Sequence, residues 1–71
     1  MENFQMWFAY RLKYLRLQES MTQNDLAEIA GVGIATIERL ERGKVLPRIE
    51  TCLLLAKVFG ITVSQLLDGY N

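Results

Sequence analysis

The chain has 71 residues, 51% of them hydrophobic, with eight basic and eight acidic side chains, no histidine and one cysteine, Cys52. That length suits a single small domain over residues 1–71, which buries only about 60% of its unfolded surface and so relies on helix packing or a partner subunit. The composition excludes an internal disulfide and a His/Cys metal cluster, and the balanced charge argues against indiscriminate adhesion to polyanions.

Phe4, Phe8, Leu12 and Leu15 recur at helical spacing, which predicts a first helix over roughly Phe4–Gln18. Thr22 then opens a second helix as its N-cap, with Asp25 in the first turn suiting the positive end of the helix dipole. Leu26, Ala27, Ile29 and Ala30 crowd one side of it, and Gly31-Val32-Gly33 breaks it. A third helix runs from Ile34 to Arg42 and stops at Gly43, with Arg42 and Lys44 flanking its negative end. Ala27 and Ala30 are small enough to let the second and third helices cross closely, the pattern of a helix-turn-helix. Val45-Leu46-Pro47-Arg48 is a connector, because proline disfavours a helical conformation in its predecessor. A fourth helix, Ile49–Phe59, turns Cys52, Leu53, Leu55, Ala56 and Phe59 inward and ends at Gly60. Thr62 and Gln65 form a capping box for a short last helix carrying Leu66 and Leu67, and Gly69-Tyr70-Asn71 is expected to fray. The fold class is all-α, with five helices.

On a helical wheel, Ile37 and Leu40 of the third helix point inward, while Ala35, Glu38, Arg39 and Arg42 share the outer face. An arginine can fork two donors onto guanine O6 and N7, worth roughly 1–3 kcal/mol of discrimination. Glu38 can accept from a cytosine amine or orient Arg39, and Ile34 and Ala35 can meet thymine methyls. A plainer reading leaves Arg39 and Arg42 as exposed helix surface and Ile34 as a hydrophobic staple. Residues 39–48 hold four of the eight basic side chains and only Glu41 as an acid, so that edge is locally positive. A second stripe on the first helix, Trp7, Tyr10, Tyr14 and Leu17, together with Leu54, is a candidate protein interface for a second subunit or another partner, with the fourth and fifth helices as the other place for such a contact.

The pattern Arg11-Leu12-Lys13, Leu15-Arg16, Thr22-Gln23, Leu26-Ala27, Gly31-Val32, Thr36-Ile37 and Glu41-Arg42-Gly43-Lys44 continues through Pro47, Thr51, Ala56-Lys57, Gly60-Ile61 and Leu66-Leu67. In these residues, over about 8–69, the chain resembles the phage-repressor and Cro-type, lambda-repressor-like helix-turn-helix DNA-binding family. The resemblance implies a compact five-helix domain whose third helix enters the major groove while the second crosses the backbone, as a dimer on two half-sites. It implies base reading by Ile34, Ala35, Glu38 and Arg39, and phosphate or sugar contacts by Gln23, Thr36, Arg42 and Lys44. Arg16 and Glu41 match a salt bridge that ties the first helix to the end of the third. The chain departs from the family at Gly33, where a serine or threonine cap is usual, and at Leu40, where tryptophan is frequent. Ile34 and Ala35 are apolar where many relatives carry hydrogen-bonding groups.

The function expected is that of a sequence-specific transcriptional regulator, a repressor or Cro-like protein that occupies a double-stranded DNA operator as a homodimer. The alternative is a helix-turn-helix interaction module, antitoxin-like or anti-repressor, that binds a protein partner with weak or no DNA binding; the neutral charge and the aromatic first helix favour it. Catalysis is not expected, for want of a histidine, a cysteine dyad or a phosphate-cradling glycine loop. No cofactor, metal or membrane is expected. The N-terminus lacks the layout of a secretion signal and no apolar run is long enough to cross a bilayer, which suggests the cytoplasm.

Overall fold

A computed structural model describes residues 3–70 and winds them into helices α1 (Phe4–Gln18), α2 (Gln23–Ala30), α3 (Ile34–Glu41), α4 (Ile49–Phe59) and α5 (Val63–Leu66). Side-chain caps mark where three of these helices, α1, α2 and α5, begin. The Asn3 side chain accepts the Met6 N–H at 2.8 Å and opens α1. Thr22 and Asp25 exchange two bonds of 3.0 Å at the start of α2, and Thr62 and Gln65 do the same for α5 at 2.9 and 3.0 Å. At the end of α2, Gly31 takes the left-handed φ of 77°. That lets the Val32 N–H return to the Ala27 carbonyl at 3.0 Å and turns the chain into α3.

One apolar core joins all five helices: Phe8 and Leu12, Leu26, Ala27 and Ala30, Ile37 and Leu40, Cys52, Leu55 and Ala56, and Leu66. Fully burying a side chain of the Leu, Ile or Phe class stabilises by about 1.5–3 kcal/mol. Ala27 and Ala30 let α2 approach both α3 and α4, while α1 lies against α3 and α5 against α4. The third helix is therefore wedged between α1 and α2 by Ile37 and Leu40, and its opposite side faces out. Among the described residues, no helix is long and apolar enough to cross a membrane.

Four sequence expectations are corrected. Ile29, expected inward, is 61% exposed, and Leu53 is 56% exposed. Each lies about 100° around its helix from the centre of the buried stripe, Leu26-Ala27-Ala30 in one case and Cys52-Leu55-Ala56 in the other. The third helix ends at Glu41, one residue earlier than expected, with Arg42 as its C-cap. Tyr70, expected to fray, packs edge-on against Phe4 with ring centroids 5.1 Å apart and lies 5.4 Å from Trp7. Asn71 lies outside the described residues.

Candidate nucleic-acid interface

The candidate surface is built around the two ends of α3. At its C-terminal end, Arg16 of α1 forks onto Glu41, Nε to Oε2 at 2.7 Å and Nη2 to Oε1 at 2.9 Å. The remaining Nη1 donates to the Met21 carbonyl at 2.8 Å. These two side chains are only 9% and 4% exposed. Hydrogen bonding to Glu41 raises the Arg16 pKa above its ordinary value, against the opposing effect of burial. Gln23, at the start of α2, adds a third donor to the same carboxylate, Nε2 to Oε1 at 3.1 Å. One acid thereby ties α1, α2 and α3 together, and its charge is neutralised where it sits.

The face of α3 opposite the core is open. Ala35, Arg39 and Arg42 are exposed, Ile34 is 38% exposed, and Glu38 and Thr36 are half-buried at the flanks. No side chain caps the first turn of α3, because Gly33 stands at the N-cap. Just beyond the helix, Gly43 has a φ of 72°, and a Cβ there would run into the Met6 side chain of α1. Lys44, which follows Gly43, is exposed.

Two depressions flank α3. One, of about 480 Å³, lies between α3 and the α3–α4 connector and is lined in part by Thr36, Arg39, Arg48 and Thr51. The other, of about 190 Å³, is formed by Lys13, Arg16, Gln23, Glu38, Glu41 and Arg42. The structure thus gathers Gln23, Glu38 and Arg42 in one place and Thr36 and Arg39 in the other, with Ile34 and Ala35 at the open start of α3. Lys13 and Arg48 join them without having been singled out from the sequence. Arg48 carried a signal as part of the basic run. Lys13 counts in the sequence only toward the family resemblance, because only the α1–α3 contact brings it to the depression it shares with Arg42.

Of the aromatic stripe on α1, Tyr10, Tyr14 and Leu17 are exposed, whereas Trp7 is half-buried beneath Tyr70. Leu54 does not extend that stripe: it lines a separate depression with Ile29, Ala30, Lys57 and Val58. The Cys52 thiol is buried, and burial raises its pKa.

The profile of the family described as helix-turn-helix matches residues 12–66. The chain is 39% identical over 59 residues to the HTH-type transcriptional regulator DdrOP3 of Deinococcus deserti, covering 83% of this chain and 46% of that one. It is 38% identical over 56 residues to an uncharacterised HTH-type transcriptional regulator, MJ0272, of Methanocaldococcus jannaschii, covering 79% and 85% respectively. A crystal structure of a helix-turn-helix-family transcriptional regulator from Vibrio cholerae superposes with a TM-score of 0.81 at 28% identity, over 89% of this chain and 35% of that one. The chain therefore spans less than half of the first relative and of the solved structure, and most of the second relative.

Proposed function

The chain belongs to the helix-turn-helix family, and we propose that it is a DNA-binding transcriptional regulator that lays α3 in the major groove and acts as a homodimer on two half-sites. The observation that carries this reading is the uncovered outer face of α3, with Ala35, Arg39 and Arg42 open on a helix whose other side is held rigidly by Ile37, Leu40 and Glu41. A rigid, exposed helix with arginines on its outer side suits the dimensions and chemistry of that groove. Arg39 is the base reader best equipped for specificity. Ile34 and Ala35 supply apolar contact to thymine methyls, and Glu38 accepts from a cytosine amine or steadies Arg39. Gln23, Thr36, Arg42 and Lys44 hold the backbone. Gln23 keeps one amide hydrogen for a phosphate while the other is engaged by Glu41.

Few phosphate contacts per subunit and a formal net charge of zero make binding by one copy weak and salt-sensitive. Occupancy of an operator by two copies excludes other proteins from that stretch of DNA. Selection of bound sequences from random duplex DNA tests the proposal. It expects a two-fold-related motif whose recovery falls steeply between low and moderate salt. Recovery of no motif at low salt would end the reading.

The exposed Tyr10, Tyr14 and Leu17 favour a second reading, a helix-turn-helix that binds a protein. It predicts retention of a protein partner by the wild-type chain, loss of that retention on Tyr14→Ser, and no enrichment of any DNA sequence.

A further inference from the structure

The depression of about 480 Å³ between α3 and the α3–α4 connector differs in its lining from the one at Lys13 and the one at Leu54. Its apolar wall includes Leu40 of α3 with Val45 and Leu46 of the connector, the last two 37% and 62% exposed. Its polar groups are two arginines, Arg39 and Arg48, and two hydroxyls, Thr36 and Thr51. Among the described residues no carboxylate lines it, whereas Glu38 and Glu41 line the depression at Lys13. The depression at Leu54 has a single cation, Lys57. Paired cations and an apolar wall therefore meet beside α3.

This lining selects its ligand. Arg39 and Arg48 take part in no salt bridge or side-chain hydrogen bond among the described residues. Two like charges lining one depression repel each other, and an anion seated between them turns that repulsion into two attractions. A guanidinium fork matches a carboxylate in bidentate fashion, and the hydroxyls of Thr36 and Thr51 can donate to its remaining lone pairs. The fourth helix begins at Arg48 without a side-chain cap, so the positive end of its dipole adds to the same field. Glu50, the acid of its first turn, lies outside the lining. Leu40, Val45 and Leu46 offer cover to an aliphatic chain, which a bare inorganic anion does not possess. The volume falls within the roughly 300–1,000 Å³ of small-molecule sites.

We propose that this depression binds a small amphipathic carboxylate, an aliphatic chain ended by a carboxylate group. The carboxylate sits between Arg39 and Arg48, and the chain runs along Leu40, Val45 and Leu46. Such a ligand is an effector, because it engages Arg39, the residue equipped to read a base. Ligand and operator then compete, and each lowers the affinity of the other by the same factor. This consequence alone rests on the regulator reading; the site itself does not.

Titration of the full, isotopically labelled chain with sodium octanoate, without DNA and at constant ionic strength, tests the site through its amide NMR shifts. Saturable shifts are expected at Thr36, Arg39, Leu46 and Thr51, and none at Ile29, Leu54 or Val58. Shorter carboxylates should bind more weakly by about fourfold for each methylene removed. Inorganic phosphate, without the chain, and 1-octanol, without the charge, should each bind about tenfold more weakly than octanoate or worse. Arg48→Ala should weaken octanoate by about tenfold while circular dichroism shows the helices intact. Arg48→Lys, which keeps the charge and loses the fork, should fall between the two. Absence of saturable shifts, shifts centred on Leu54, phosphate binding as tightly as octanoate, or Arg48→Ala binding like wild type overturns the proposal. Saturating octanoate should also weaken binding to the selected DNA site by about tenfold, and unchanged DNA affinity with octanoate bound overturns the effector role. Octanoate binding by a chain that enriches no DNA sequence defeats only the regulator reading. DNA selection by a chain that ignores octanoate defeats only the ligand site.

Discussion

The inner end and the outer face of α3 use charge in opposite ways. At the inner end, Glu41 receives Arg16 twice and Gln23 once, and the Arg16–Glu41 pair is almost wholly out of solvent. On the outer face, Arg39 and Arg42 carry full charges with no side-chain partner among the described residues. Charge that is buried and bonded fixes geometry; charge that is exposed and unpaired is available for binding. One helix carries both, so stability and recognition should separate cleanly by residue.

The strongest challenge to this division is Glu41→Ala. It leaves the Arg16 guanidinium buried without a counter-charge, which costs about 3–5 kcal/mol. That is a large part of the roughly 5–15 kcal/mol that holds a small domain together. Urea denaturation should show a large loss of stability, and a loss below about 1 kcal/mol would mean that water or another group replaces the carboxylate. Arg39→Ala should do the reverse, removing about 1–3 kcal/mol of discrimination between the selected site and a mismatched one. Its urea midpoint should match wild type, and retained discrimination would remove Arg39 from the base-reading set. Arg42→Ala and Lys44→Ala should weaken all sequences alike and each lower the slope of log affinity against log salt by about 0.9. A slope unchanged in either variant would return that residue to ordinary surface.

Smaller effects lie away from both faces. Ser20, between α1 and α2, holds a left-handed φ of 56°. Ser20→Gly should relieve that strain and stabilise by up to about 1 kcal/mol, measured as a raised denaturation midpoint with DNA affinity unaltered. Asp25 supplies the least. The Thr22 backbone N–H, donating to it, lowers the Asp25 carboxyl pKa below its usual value. A lowered folded value means that the contribution is fully present above the ordinary aspartate range and disappears as pH falls through the lowered value. The advantage of wild type over Asp25→Asn should therefore exist at neutral pH and close in acid.

Helix starts and stops were readable because they are local. The Thr22 cap, the box at Thr62–Gln65 and the turn at Gly31 involve residues only a few places apart and form as expected, and at Thr22 the Asp25 carboxylate also closes the box that the dipole reading did not name. Ile29 and Leu53 were misread as inward because both are apolar and border the inner stripe; which border residue is covered depends on how neighbouring helices sit. Tyr70 defied the expectation of a frayed end because Phe4 and Trp7, more than sixty residues earlier, offer it a surface. The set Ala35, Glu38, Arg39 and Arg42 could be named from a helical wheel, and Ile34 from the family resemblance. The Gln23–Glu41 bond and the arrival of Lys13 beside Arg42 could not.

By itself, the order of residues determined five helices, their caps, the glycine turn between α2 and α3, and the polar side of α3. These follow from backbone preference and periodicity, which act over a few residues. Only the assembled structure decided that Gln23 joins Arg16 on Glu41 while Arg39 and Arg42 stay unpaired among the described residues, and that α4 leaves Leu53 and Leu54 uncovered between Glu50 and Lys57. Burial and pairing depend on which surfaces meet, and residues distant in the chain meet only once the helices have packed.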